Sequence, residues 1–294
     1  MTSTSSSPHS IDWISTIGAF AHLFRLPVSM LAALAGCATI YALNAATPLQ
    51  QYLLTATILI GMTSAACAIN DYWDLDKDRI DHSDRPLPSG LLSLQQAWWA
   101  AVILFGCALS AAVPLGLYPF ILVTASTVLL WNYSHLLTYS GIVGNVVVAA
   151  IVAALIFLGS LVADRPFAML YPTWFLFCYA LAKEIIWDVH DAEGDRSQGI
   201  VTVANRWGAP VAFSITWGLL GVLMGSIPVA LHLLPMAHPL LFAVFSLVAL
   251  LSLATALARY QQQPSAIAYQ RLVLWERLSV VFGVLALLAT APPL

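Results

Sequence analysis

The sequence predicts an all-α, polytopic membrane protein that crosses the bilayer nine times. Composition is the first ground. Of 294 residues, 60% are hydrophobic and only 9% are charged, against roughly 25% charged in a soluble domain. The polar shell of a soluble fold is missing. The second ground is a series of apolar runs of about 20 residues, the length that spans a hydrocarbon core of ~30 Å. The third is charge placement. Eleven of the fourteen acidic residues fall in two short clusters. One holds Asp71, Asp74, Asp76, Asp78, Asp81 and Asp84; the other holds Glu184, Asp188, Asp191, Glu193 and Asp195.

The elements follow in order. Residues 1–10 are rich in Ser and Thr and lack Lys and Arg, so no secretory signal is expected. Residues 1–20 read as an N-terminal tail whose end, around Ile11–Phe20, forms a short interfacial helix; residues 21–294 read as a single transmembrane domain. Nine spans are expected at 24–44, 49–69, 94–114, 117–136, 142–163, 167–187, 210–231, 238–258 and 273–291. Pro48, Pro114, Pro119, Pro166, Pro210, Pro235 and Pro264 mark their ends, where a helix stops or starts. Pro228 lies inside the seventh span and is a candidate kink. Small residues within the spans allow close helix approach. Cys37, Cys67, Cys107 and Cys178 lie in apolar stretches without paired spacing, so no disulfide framework is expected.

Two connections are long and charged, 70–93 and 188–209, and 259–272 is a longer polar one. Four helices separate the two charged connections. That even number puts both on one membrane face. With the N-terminus inside, Arg25, Lys77, Arg79, Arg85, Lys183, Arg196, Arg206, Arg259 and Arg271 fall on or near the inner side, and Arg165 falls outside. The bias matches the positive-inside rule. Both acidic clusters are therefore expected on the cytoplasmic face.

Helical phase sorts the acids. If the second helix continues past Ile69, Asn70, Asp71, Asp74 and Asp78 share an arc of about 100°, and Asp76 points elsewhere. Glu184, Asp188, Asp191 and Asp195 share roughly 60°, with Glu193 nearly opposite. Carboxylates crowded at a helix C-terminus repel one another and oppose the helix dipole. A cation relieves both problems, and oxygen ligands favour a hard ion such as Mg²⁺. Two such stripes facing one cavity would hold a diphosphate between metal ions. An EF-hand is excluded, because its sixth and twelfth positions would be Arg79 and Arg85. No His/Cys spacing suggests zinc, and His82 and His190 read as polar loop residues.

The run Asn70-Asp71-Tyr72-Trp73-Asp74-Leu75-Asp76-Lys77-Asp78 resembles the NDxxDxxxD motif of the UbiA superfamily of intramembrane prenyltransferases. The segment Asp84-Arg85-Pro86-Leu87-Pro88-Ser89-Gly90 is similar to the loop that follows this motif. Asp191-Ala192-Glu193-Gly194-Asp195 is similar to the family's DxxxD, and Gly144-Asn145 to the Gly-Asn opening its fifth helix. The resemblance implies nine helices around a central cavity under a cytoplasmic cap, and two Mg²⁺ ions on an isoprenyl diphosphate. One metal site would use Asn70, Asp71, Asp74 and Asp78; the other would use Asp191 and Asp195 with Asp188. Asp71, Asp74, Asp191 and Asp195 would carry catalysis. Asn70, Arg25, Arg85, Arg196, Glu184, Tyr133 and Asn145 form the expected substrate-binding set. Arg85 and Arg196 would add charge near the phosphates or balance nearby acids; Arg25 would be a phosphate ligand or a topology anchor. Tyr72, Trp73, Trp131, Tyr133, Tyr179 and Trp187 are candidates to face an allyl cation. Where many members carry a Lys before the Gly-Asn, this chain has Thr138.

The implied reaction moves a polyprenyl group onto a lipophilic acceptor, aromatic or a glycerol-phosphate lipid. The expected partners are an isoprenyl diphosphate, the acceptor and the bilayer, with no nucleic acid. A UbiA-type terpene cyclase, which closes the prenyl chain on itself, is the alternative. A cation transporter is a remote one, because transport sites usually lie at the bilayer midplane rather than at span ends.

Overall fold

The computed structural model describes residues 13–133 and 141–290. Helices account for every regular element among the described residues. The first, α1 (Trp13–Leu23), is followed by α2 (Leu26–Leu43), α3 (Leu49–Trp73) and the short α4 (Leu75–Asp81). Next come α5 (Leu94–Ala112), a 3-10 turn at Val113–Leu115, α6 (Leu117–Asn132) and α7 (Ile142–Val162). The second half holds α8 (Leu170–His190), α9 (Ala192–Ser197), α10 (Val203–Trp207), α11 (Ala209–Leu233), α12 (Pro239–Gln262) and α13 (Ala266–Ala289). Nine of these helices stand where the nine spans are expected. By length and composition, seven of the described helices can cross a membrane. The other two are α6, with 16 residues, and α8, which carries Lys183, Glu184 and Asp188 near its end. The protein is a multi-pass membrane protein.

Local chemistry sets several boundaries. Ser93 opens α5 with a capping box shared with Gln96, which satisfies otherwise orphaned donors. Ser265 caps α13 by accepting from the Ala268 amide. That cap corrects the expected 259–272 connection. Residues Arg259–Gln262 stay helical in α12 and α13 starts at Ala266. The polar residues there extend two helices instead of forming a loop, because helices continue past the hydrocarbon as readily as within it. Helix α11 runs through Pro228 to Leu233.

The core has two main parts. Leu23, Ile40, Ile58, Met62, Phe105 and Val123 belong to one cluster built on α1 to α7. Tyr179, Phe213, Leu220, Leu250, Leu257 and Leu272 belong to the other, on α8 and α11 to α13. A third cluster, with Ala35, Ala38, Ile156, Met169 and Val284, joins them where α2, α7, α8 and α13 meet. Small residues make that seam. A Cβ on Gly159 would stand 2.7 Å from Thr39 Cβ and 2.8 Å from the Gly36 carbonyl oxygen. Only a glycine lets α7 lie this close to α2. Many exposed side chains are large and apolar, including Leu53, Ile103, Ile121 and Leu240. They suit a lipid surround, where they need no protein cover.

Candidate functional site

The first acidic motif straddles a helix break. Helix α3 continues past Ile69 to Trp73, so Asn70 and Asp71 lie on its last turn. At Asp74 the backbone turns to φ −91° and ψ 12°, the bridge region between helix and extended chain. Asp78 therefore sits on α4, not on a straight extension of α3. This corrects the single-stripe expectation. Asp71 and Asp78 are 2% and 1% exposed. Asp71 accepts from Arg25 Nη2 at 3.0 Å and from Arg85 Nη1 at 3.4 Å. Arg85 Nη1 also lies 2.7 Å from each oxygen of Asp78. The Asn70 amide donates to Asp74 Oδ2 at 2.9 Å. Arg25 arrives from a left-handed turn between α1 and α2, with φ 46° and ψ 49°. A non-glycine residue held there costs roughly 1–2 kcal/mol. The turn aims its guanidinium at Asp71, which ties Arg25 to the first acidic motif.

The second motif repeats the device. Helix α8 runs through Glu184 and Asp188 to His190, breaks at Asp191 with φ −86° and ψ 7°, and resumes as α9 carrying Asp195. Its acidic stripe is broken at the corresponding position. Lys77 of the first motif reaches across to it: its Nζ lies 2.6 Å from Asp195 Oδ1 and 3.9 Å from Asp191 Oδ2. His82 Nε2 donates to Asp191 Oδ1 at 3.2 Å. Thus α4 and α9 pack together, and both motifs lie on one side, as helix parity requires. Asp188 Oδ2 accepts from Asn145 Nδ2 at 2.8 Å. Asn145 is placed by Gly141, whose φ of 60° starts α7 against the Val201 carbonyl, where a side chain would collide.

Other expected residues divide. Tyr133 is the C-terminal cap residue of α6, with helical backbone angles of φ −58° and ψ −65°. Glu184 pairs with its neighbour Lys183 at 3.0 Å, and Lys183 stands over the Trp187 ring at 4.4 Å. Arg196 is exposed on α9; it donates to Asn205 at 3.5 Å and, with Arg206, lines a recess of about 460 Å³. Trp131 packs between Trp98 and Phe105. Tyr179 spends its hydroxyl on Ser279 and the Glu276 carbonyl. Tyr72 and Trp73 meet edge to face. Asp76 is exposed and pairs with Arg79, and Glu193 is exposed, both as phase predicts. Thr138 lies outside the described residues.

Lys77 and His82 are the members that sequence reasoning missed. Lys77 counted there only as an inner-face charge, and His82 as a loop residue. Their signal was complementarity: a Lys within the first motif and a His just after it, opposite a second acidic run. His190 has a packing role, stacked on Tyr269 with ring centroids 3.5 Å apart.

The donors fit a hard divalent ion in chemistry, though not as a ready-made cage. Among the described residues, no group of three His, Cys, Asp or Glu side chains converges on a single point. Arg25, Arg85, Lys77 and His82 occupy the carboxylates instead. Asp74 marks the shortfall of positive charge. Burial outweighs the nearby Lys77 and pushes its carboxyl up to about 7. Asp191 goes the other way: burial opposes ionisation, but the His82 hydrogen bond and the Lys77 charge hold its carboxyl low. Lys77, despite burial, is held charged by Asp191 and Asp195. These donors are all carboxylate or amide oxygens, the set that selects Mg²⁺ over softer metals.

Comparison with known proteins agrees with this geometry. Residues 29–288 match the UbiA prenyltransferase family. A digeranylgeranylglyceryl phosphate synthase of Sulfolobus acidocaldarius is 32% identical over 183 residues, 62% of this chain and 66% of that protein. The chain thus spans slightly less than two thirds of that relative. One of the same name from Korarchaeum cryptofilum is 32% identical over 222 residues, 74% of this chain and 76% of that protein. A UbiA homolog from Archaeoglobus fulgidus, solved bound to GPP and Mg²⁺, superposes with a TM-score of 0.71 at 15% identity, covering 92% of this chain and 99% of its own. At that identity the likeness speaks for the fold. With most of its length matched and both acidic motifs in place, the chain belongs to the UbiA prenyltransferase family.

Proposed function

We propose that this protein transfers a polyprenyl group from an isoprenyl diphosphate to a glycerol-phosphate lipid acceptor within the membrane, in a Mg²⁺-dependent reaction. The observation that carries the proposal is the meeting of two acidic motifs from separate halves of the bundle, with Lys77 spanning the gap. Asn70, Asp71, Asp74 and Asp78 would hold one ion; Asp188, Asp191 and Asp195 would hold a second. When bound, such ions supply the positive charge that neutralises a leaving diphosphate. Arg25 and Arg85, once released from Asp71 and Asp78, would donate to the diphosphate oxygens. Asn145, which donates to Asp188, and Tyr133 would border the bound substrate. The apolar helix walls exclude water from the allyl cation formed as the C–O bond breaks. The names of the relatives support a glycerol-phosphate acceptor over an aromatic one. The Lys and Arg bias favours a cytoplasmic site, and α1, with Trp13, Ile14 and Ile17 exposed, suits the interface.

The test uses purified full-length protein with Mg²⁺ and diphosphates of graded chain length, with and without glycerol-phosphate acceptors, and mass spectrometry of the products. A prenyl ether formed only with acceptor is the expected result. A cyclic hydrocarbon or alcohol formed without acceptor would assign the chain to terpene cyclisation instead.

A further inference from the structure

Lys77 belongs to the first motif by sequence and to the second by contact. It sits between Asp74 and Asp78 in the chain, yet its Nζ touches Asp195 at 2.6 Å and approaches Asp191 at 3.9 Å. Its side chain is 15% exposed and that of Asp195 only 3%. Asp191 is engaged on both oxygens, by His82 on Oδ1 and on the Oδ2 side by Lys77. An ammonium in this position occupies the ground that a hard cation on Asp191 and Asp195 would need. A singly charged and a doubly charged cation cannot share those oxygens without strong repulsion. Lys carries a compact point charge with three rotatable donors on a flexible four-carbon stem. It can leave a carboxylate and keep its charge on another anion nearby.

Resting on the diphosphate reading above, we propose that Lys77 is the resident counter-ion of the second motif. It yields Asp191 and Asp195 to a divalent ion and passes its ammonium to the diphosphate. Lys77 thereby makes metal loading at the second motif favourable chiefly when a diphosphate is present. It acts as a positioning residue for metal and substrate together. No bond to carbon is made or broken in this exchange; one ion pair replaces another.

The proposal requires opposite effects of one substitution on two ligands. The probes are Mn²⁺, counted by electron paramagnetic resonance, and inorganic pyrophosphate, titrated calorimetrically in saturating Mg²⁺, both on the detergent-purified full chain. In Lys77→Met, Mn²⁺ without pyrophosphate binds about tenfold tighter than in the unaltered protein, and pyrophosphate binds about tenfold weaker. Lys77→Gln, which keeps a hydrogen-bond donor for Asp195, gives the same signs and serves where the Met variant does not stay folded. Lys77→Arg stays near the original values. Weakening of both ligands would make Lys77 merely structural and overturn the proposal, as would Mn²⁺ binding that does not change. If Mn²⁺ tightens but pyrophosphate neither binds nor responds in any variant, the competition stands and the diphosphate reading falls.

Discussion

Asp71 is the residue on which most of the first motif depends. It is buried beneath two guanidinium groups, so its loss removes a metal-ligand candidate and leaves Arg25 short of its partner. Asp71→Asn is expected to lower turnover by about 100-fold or more, the scale of removing one electrostatic stabiliser from a transition state. It should also destabilise the protein by roughly 1–3 kcal/mol. Asp191→Asn should match it in turnover. Asp76→Asn is the control. Asp76 pairs with Arg79 at the exposed surface, where an ion pair contributes about 0–1 kcal/mol, so turnover and Mg²⁺ dependence should not change. Steady-state rates beside thermal melts of each variant separate the two effects. Loss of activity in Asp76→Asn equal to that in Asp71→Asn would refute the phase argument that set Asp76 apart.

At the scale of elements, helices were legible and their breaks were not. Apolar runs of bilayer length located nine helices, because hydrocarbon thickness leaves little freedom in span length. The breaks at Asp74 and Asp191 carry no Gly or Pro, the residues that mark interruptions in a sequence. They accompany contacts remote in the chain, Lys77 to Asp195 and His82 to Asp191, which periodicity cannot report. For the same reason the acids of each motif were legible as a set, while their basic partners were not. The small-residue seam between α2 and α7 offers a cleaner test of packing. Gly159→Ala would press a methyl against Thr39 and the Gly36 carbonyl. The expected cost is about 1–3 kcal/mol, read as a lower melting temperature in detergent. An unchanged melt would show that α7 shifts freely against α2.

Across the whole molecule, each half of the bundle supplies one motif. The first comes from α3 and α4, and the second from α8 and α9. A ligand held by both motifs must therefore tie the halves together. Mg²⁺ with pyrophosphate should raise the melting temperature, because a ligand that binds only the folded state stabilises it by mass action. At about 100 times its dissociation constant the gain is ~2.7 kcal/mol. The shift should largely vanish in Asp191→Asn. A full shift in that variant would mean that one motif alone holds the ligand.

The turn at Arg25 has a consequence for the life of the chain. Together with Arg85 and Lys77, it offsets part of the charge of the buried acids from within the protein's own sequence. A newly inserted polypeptide brings its own basic partners to Asp71, Asp78, Asp191 and Asp195 before any ion arrives. If the proposed Mg²⁺ dependence holds, assembly in the membrane and loading with metal are separate events, and a shortage of magnesium would leave behind an idle enzyme rather than a misfolded one.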